Sequence, residues 1–514
     1  MRLSEEECVR LIENGVVTTA NTDISGIGVL IAFHISAYVT FVGVLLAYCF
    51  GIIDDELLAP VDRKVFHITS RTQRFPRIQV ALRQFILTLS DNQIVTGIAI
   101  LAAGFRGLRK GDISVYHYQV VLYLAWLSSS VHLSAISLLR PYLTQHYGLK
   151  TWRLVGMVAL FVMLLIGLVP TISSQWGIAN PRDPLNPDLV ESAPTGWGVP
   201  AVCFWGRTYG EGVNSDAPLG YAILILSYIW KVLDMWEAPR KLYHETFRLP
   251  IEALMERCLS AIAKRYTKRR SCCYIVAFRL LLMAILPGLA ILETMVSFSA
   301  SLWLSVLGLV FGTMQVIIPR EQNLASTAGQ EDEWGFGQLV PLILLLQPLG
   351  VLIENMLMPF GQFRAANREK SPSQETDYEL QVQSTTNPTT EQLRPSRNSI
   401  TTTYSRRSHE PLISALAGQQ TSTQNVTDNL NERVSEFHEI LMSSRLFALL
   451  VGSLHAGITA GAILIFWVNA NTIGFARGGN WRLLVIAVVI YAVSSWTIVG
   501  LLGPFSTLWK SVKR

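Results

Sequence analysis

Apolar residues gather along this chain into blocks about as long as a membrane-crossing helix, separated by polar, turn-rich or basic segments. Such blocks lie at 26–50, 84–105, 115–139, 154–174, 219–236, 274–295, 297–318, 339–358, 448–468 and 483–502. A helix crossing the hydrocarbon core needs about 20 mostly apolar residues. The predicted fold class is therefore all-α, a polytopic transmembrane helix bundle. The block at 339–358 is the weakest, with Pro341, Pro348 and the pair Glu354–Asn355 inside it. If it crosses, the chain has ten spans. If it is re-entrant there are nine, which is the preferred count.

Between the blocks, charge suggests orientation, because Lys and Arg accumulate in short cytoplasmic loops. The first loop carries Arg63, Lys64, Arg71, Arg74, Arg77 and Arg83, and 238–273 is also strongly basic. The loop 175–218 holds only Arg182 and Arg207 and reads as turns. These loops alternate if the N-terminus is on the outer or luminal face, with Arg106, Arg109 and Lys110 dissenting. Residues 1–23 lack the basic start and short apolar core of a signal peptide, so the first span is expected to be an uncleaved anchor. The expected organisation is a polar segment at 1–24, a first membrane bundle at 25–236, a basic amphipathic cytoplasmic linker at 237–273, and a second bundle at 274–358. A long disordered polar loop at 359–440 and a C-terminal transmembrane hairpin at 441–514 complete it. Glycosylation of the sequon Asn425–Val426–Thr427 would require a luminal loop.

Composition narrows the class further. Of 514 residues, half are hydrophobic and only 15% charged, with net charge +5. Soluble domains carry about 25% charged residues, so a soluble multidomain enzyme and a nucleic-acid binder with a basic face are excluded. Membrane lipids are the first expected partners, and no nucleic acid is. Six cysteines are too few for a disulfide framework. Cys8 and Cys203 both face the outer side and could bridge, although two unpaired thiols are the preferred expectation. Cys272 and Cys273 follow a basic run at a membrane edge, where palmitoylation competes with simple positive-inside anchoring.

Candidate chemistry concentrates in 87–133. Ionisable groups within spans are costly and usually face a bundle interior or a wet cavity. Asp91 lies about two turns into its span, and His132 about two turns before the end of the next, antiparallel one. That places an acid and a base at similar depth, as a reactive pair or as an interhelical packing bond. Asp234 and Trp230 sit near the same leaflet. Tyr116, Gln119, Tyr123 and Trp126 recur at three- and four-residue steps on one helix face. Tyr116 and Gln119 could line a site or anchor the span at the interface. Glu293 is expected to snorkel to water at the outer end of its span. No two histidines lie within a helical turn of each other, no Cys/His spacing resembles a zinc site, and no phosphate-binding or nucleophile-elbow motif occurs. No metal and no cofactor is expected.

The strings NTDISGIGVLIAFHISAYV, LSDNQIVTGIAILAAGF and ISVYHYQVVLYLAWLSSSVHLSAISLLR resemble a multi-pass membrane protein family of filamentous ascomycetes. Through it the chain is similar to integral-membrane terpene cyclases of secondary-metabolite (meroterpenoid) clusters. That resemblance implies proton-initiated cyclisation of a prenylated intermediate, a lyase- or isomerase-type reaction without metal. Asp91 would be the acid, made protonatable by burial. His132 would orient it or act as terminal base, with Asp234 in the same pocket and Trp126, Trp230 and Trp236 as an aromatic wall for the cation. The implied ligand is a hydrophobic isoprenoid-type molecule, the implied neighbours other biosynthetic membrane enzymes, and the default compartment the endoplasmic reticulum. A transporter or exporter of a cluster metabolite and a non-enzymatic membrane scaffold are the alternatives.

Overall fold

The computed structural model describes residues 3–177, most of 196–236, 272–327, 330–358 and 445–471, with scattered positions in 242–265 and 491–494. More than half of the expected surface helix of 237–273 falls outside the described residues. So do the polar segment 359–440 with its sequon and nearly all of the 483–502 block.

Among the described residues there is no strand, and the β structure is confined to isolated bridges such as that between Ser114 and Pro200. The helices are α1 (Glu5–Asn14), α2 (Thr22–Ser25), α3 (Ile27–Cys49), α4 (Pro60–Lys64), α5 (Pro76–Lys110), α6 (Val115–Gln145) and α7 (Tyr147–Gly167). They continue as α8 (Asp216–Asp234), α9 (Cys272–Val296), α10 (Phe298–Thr327), α11 (Phe336–Leu344), α12 (Leu346–Leu357) and α13 (Arg445–Asn471). Six segments among the described residues are long and apolar enough to cross a membrane: Thr22–Cys49, Pro76–Lys110, Val115–Gln145, Tyr147–Gly167, Phe298–Glu321 and Phe336–Leu357. Shorter apolar helices cover Ala217–Leu233, Ile285–Val296 and Arg445–Gly461. With six among the described residues, the expected nine or ten are not confirmed.

Helix α6 is the spine, buried without interruption from Val115 to Leu139. A helix apolar on all sides can be surrounded completely, and α3, α5, α7, α8 and α10 surround it. Between membrane helices close packing replaces the hydrophobic drive, so small residues mark the tightest approaches. A Cβ at Gly97 of α5 would sit 2.6 Å from the Ser128 hydroxyl oxygen, and one at Gly312 of α10 would sit 2.6 Å from the Trp126 ring.

Named contacts fix the direction of each helix. Gln93 on α5 donates to Ser36 of α3 at 2.7 Å, and Gly43 faces Leu82 and Ile86, so α5 runs antiparallel to α3. Gly104 facing Val121 and Gly97 facing Ser128 set α6 antiparallel to α5. Gly156 against Ile94 and Gly167 against Leu122 turn α7 back again. Tyr221 donates to the Leu165 carbonyl at 3.0 Å and Tyr228 pairs with His132 at 2.9 Å, so α8 runs with α6. We call the end of the bundle carrying loop 51–75 the inner end, following the charge rule, and its opposite the outer end.

Helix α10 corrects the expected topology. Its first residues meet the inner end, where the Phe298 backbone N–H donates to Asp62 at 3.0 Å and the Phe298 ring stacks on Tyr48. Its last turns meet the outer end, where Arg320 donates to the Ser25 carbonyl at 2.6 Å. The block at 297–318 therefore runs from inner to outer, opposite to the expected direction. Since α8 ends at the inner end and α10 begins there, the intervening chain crosses an even number of times. A single crossing at 274–295 does not satisfy that. Glu293 is accordingly near the inner end and 2% exposed, not snorkelling at the outer one. The Asp62 carboxylate that caps α10 also accepts from Tyr48 at 2.7 Å and from the Ala59 N–H at 2.9 Å. Burial pushes this carboxyl up in spite of those bonds.

The stretch preferred as re-entrant forms two helices in line, α11 and α12, meeting at Leu345. Pro348 has no N–H to offer the Leu344 carbonyl, which opens the helix there. Gln338 packs on Gly26 and Gly28, while Asn92 reaches Gln347 at 3.3 Å. The pair thus runs parallel to α3 and delivers the chain back toward the inner end.

At the outer end Cys8 and Cys203 form a disulfide with Cα atoms 5.5 Å apart, tying α1 to the turn at 201–204. The expectation of two unpaired thiols is corrected. Backbone bonds from Val115 to Val199 and from Tyr116 to Trp197 press that same loop onto the start of α6, which brings the two sulfurs within bonding reach.

Candidate functional site

Asp91 and His132 do not meet. Asp91 turns toward α7, where its carboxylate pairs with Arg153 at 2.6 Å. Arg153 also donates to the Leu87 carbonyl at 2.8 Å and is 1% exposed at its side chain. His132 turns toward α8 and pairs through Nε2 with the Tyr228 hydroxyl at 2.9 Å. Equal depth on neighbouring helices was correct, but depth does not fix azimuth, and a third helix supplied each partner. Asp234 is the last residue of α8, and its side chain lies outside the described residues.

The stripe along α6 faces α10 and the turn beyond it. Tyr116 donates to Glu331 at 2.9 Å. Gln119 donates to the Gln315 side chain at 2.8 Å and accepts from the Trp176 indole at 2.8 Å. Trp126 donates to the Gly308 carbonyl at 2.9 Å, with Tyr123 and Phe311 rings 5.9 and 5.3 Å away. Tyr116 is fully buried, so it is no interfacial anchor. Trp230 and Trp236 are 37% and 39% exposed, and Trp236 lies under the Lys150 ammonium, 5.4 Å from it. Of the three tryptophans expected as an aromatic wall, Trp126 alone lines the space described next.

Between α6, α8 and α10 lies a narrow pocket, partly open to the surface, with a cavity volume of about 20 Å³, room for about one water. Ser129, Ser130, Ser227 and Ser305 give it hydroxyls, and Trp126, Leu133, Leu224 and Leu304 give it apolar walls. Lys231 closes one side, 1% exposed, its ammonium donating to Ser137. The pocket forms where Ser129 and Ser130 of α6 and Ser227 of α8 face Ser305 and the small residue Gly308 of α10. The signal for Lys231 was in the sequence: a single cation within an apolar block, on the face that also carries Ser227 and Leu224.

A second polar cluster lies at the outer end. The Glu331 carboxylate accepts from Ser25, from Tyr116 at 2.9 Å and from Arg320 at 3.3 Å, with His117 Nε2 3.5 Å away. Arg320 also reaches Asp332 at 2.8 Å. Burial pushes the Glu331 carboxyl up, but the bonds from His117, Ser25 and Tyr116 outweigh it and hold the group below its ordinary value. Sequence reasoning passed over Glu331 because it stands in a polar turn between spans. A third space, beside Ser36, Asn92, Gln93 and Thr96 against Pro341 and Pro348, is bridged by the Gln93–Ser36 bond. Among the described residues no group of His, Cys, Asp and Glu could hold a metal ion.

These features define a helical membrane protein with a small, polar-lined pocket inside its bundle. No family model matches the chain, and no solved structure does. Two proteins of the fungus Elsinoe fawcettii are similar to it. Elsinochromes biosynthesis cluster protein HP3 is 40% identical over 108 residues, covering 21% of this chain and 42% of HP3. Elsinochromes biosynthesis cluster protein HP2 is 24% identical over 399 residues, covering 69% of this chain and 96% of HP2. The chain thus matches less than half the length of HP3 but nearly all of HP2. The fungal setting suggested by the sequence strings is supported at the level of biosynthesis-cluster proteins.

Proposed function

We propose that this chain is a multi-pass membrane protein of fungal secondary metabolism that takes a hydrophobic biosynthetic intermediate into the pocket between α6, α8 and α10. The observation that carries this reading is the pocket itself. It joins buried hydroxyls and a buried ammonium to aromatic and aliphatic walls inside a bundle, the mixture that small-molecule sites use to fix an apolar ligand, and α6, α8 and α10 must part to widen a space that holds about one water. Similarity to two biosynthesis cluster proteins supports the metabolic setting.

The finer reading is proton-initiated cyclisation of a prenylated intermediate by a protein of nine or more spans in the endoplasmic reticulum. The aromatic group Trp126, Tyr123 and Phe311 beside the pocket favours it, since ring faces stabilise a developing cation. In this reading Asp91 is not the acid. Asp91 is ion-paired with Arg153 of α7 and does not line the pocket, so Asp91 positions α7 and the proton comes from a group at the pocket. His132, hydrogen-bonded to Tyr228 one turn from Ser129, is placed to relay it. Export of a finished metabolite through the same bundle is the competing reading.

Metabolite profiling by mass spectrometry separates them, using a strain lacking the gene and complemented with wild type, Gly308→Phe or Asp91→Asn. Gly308→Phe fills the pocket. An uncyclised precursor accumulating with Gly308→Phe supports the cyclase, and finished product trapped in the cell supports export. Full rescue by Gly308→Phe removes the pocket from the function.

A further inference from the structure

We propose that the inner end of the bundle carries a binding site for an anionic phospholipid headgroup, formed by Arg71 and Arg74 with Phe75 and Ile78 at the entry to α5. None of these residues lines the pocket between α6, α8 and α10. From Arg63 to Arg83 the chain holds six cations, Arg63, Lys64, Arg71, Arg74, Arg77 and Arg83, and no acid. The acids of the same loop all precede them, and three are engaged by the protein. Asp54 accepts from Gln79 at 2.7 Å, Asp55 pairs with Arg63 at 2.9 Å, and Asp62 caps α10. Arg71 and Arg74 are exposed and join no ion pair among the described residues. They are also held together. The Arg74 and Phe75 N–H groups both donate to the Arg71 carbonyl, at 2.9 and 3.2 Å, and the Arg71 N–H donates to the Gly51 carbonyl at 2.7 Å. That turn is pinned to the end of α3, and Gly51 permits the approach with a φ of 69° that other residues rarely adopt.

The setting makes a lipid the occupant. Helix α5 has 35 residues and is about 52 Å long, against a hydrocarbon core of about 30 Å. Its apolar block begins at residue 84, so its first turns stand in the polar layer that holds the lipid phosphates. Phe75 and Ile78 are exposed apolar side chains at that level, and the Arg74 guanidinium carbon lies 5.5 Å from the Phe75 ring centre. A phospholipid presents the same two chemistries side by side, a phosphate and the carbons beneath it. The guanidinium meets the phosphate with two parallel N–H donors, and Phe75 and Ile78 meet the glycerol and acyl carbons. A soluble phosphate would use the arginines and leave the apolar pair in water. Orientation by charge needs cations on this side, but it needs neither a fixed turn to hold them nor apolar side chains between them.

The test is native mass spectrometry of the full chain released from nanodiscs of phosphatidylcholine with a minority of phosphatidate, counting the lipids retained. Wild type is expected to keep phosphatidate well above its share of the bilayer. In Arg71→Gln/Arg74→Gln that enrichment should fall roughly tenfold or more, the worth of two cations near a charged surface. Phe75→Ser should lower it less, and added glycerol 3-phosphate should not compete. Arg106→Gln/Arg109→Gln removes two arginines from the opposite end of α5 and should leave it unchanged. All five positions are exposed, so folding is not at stake. Equal retention of the two lipids by wild type overturns the site and needs no variant. So does an enrichment that survives Arg71→Gln/Arg74→Gln, or one that falls as far with the outer pair, which would leave only general positive charge. Competition by glycerol 3-phosphate would make the occupant a soluble phosphate and overturn the lipid.

Discussion

Glu331 and Lys231 are both buried and both ionisable, yet their surroundings differ in kind. Around Glu331 the protein supplies the partners itself: Ser25, Tyr116, His117 and Arg320 converge on one carboxylate from three parts of the chain. Little room is left for a guest. Around Lys231 the ammonium donates to Ser137, and beside it runs a narrow, partly open pocket. The carboxylate ringed by four named partners fixes the fold at the outer end, whereas the ammonium at the edge of a pocket lies within reach of whatever enters it.

The sharpest way to break that comparison is to remove Glu331. Glu331→Leu leaves Arg320, Tyr116 and Ser25 facing an apolar side chain, and losing one partner of a buried pair costs about 3–5 kcal/mol. A large fall in melting temperature in detergent is expected, larger than in Lys231→Met. Equal destabilisation by the two would erase the distinction.

Next in size is Cys8→Ser. It opens a covalent closure of 195 residues, an effect typically worth about 2–4 kcal/mol. The intact protein should resist maleimide at Cys8 and Cys203 until reduced. The variant should melt lower and expose Cys203 to the reagent.

The pH dependence follows from the depressed Glu331 carboxyl. Its stabilisation is complete above the ordinary value of 4.5 and is lost as pH falls through the lower folded-state value. Melting curves on acidification should show this loss in wild type and a flatter profile in Glu331→Gln.

Asp91→Asn should have the smallest effect, about 1–2 kcal/mol, because the Asp91 side chain is 32% exposed and water screens the pair. Product formation should be retained, which a catalytic acid at position 91 would not predict. Topology offers a qualitative check. Since α11 and α12 return the chain toward the inner end and Phe447 packs beside Val61 near that end, Asn425 should carry no glycan. A glycan-dependent mobility shift removed by endoglycosidase would reverse the assignment of ends.

The sequence made the helical bundle legible because twenty-residue apolar blocks have few other physical solutions. Depth was readable as well, since Asp91 and His132 could be placed by counting turns. Azimuth was not readable, so the partners Arg153 and Tyr228 went unforeseen. Arg153 escaped because the apolar block was cut one residue after it, although α7 begins at Tyr147. Helix direction after α8 was lost at the basic linker, where a single miscounted crossing inverts everything downstream. Glu331 was invisible for a different reason. Its burial depends on residues up to 306 positions away, and nothing local distinguishes it from Glu333.

That separation has a consequence during synthesis. Chains emerge at about 5–20 residues per second, so Ser25 waits on the order of 15–60 seconds for Glu331 to be made. Through that interval the Ser25 hydroxyl at the amino end of the first span has only the local Asn21 carbonyl to donate to, and Tyr116 at the start of α6 lacks its carboxylate acceptor. The outer end therefore stays unlatched until the turn after α10 is made, and the inner end closes later still, when α13 packs beside Val61. A ribosome that stalls in α10 would leave behind an inserted but unlatched molecule, and cellular quality control would meet it at this end first.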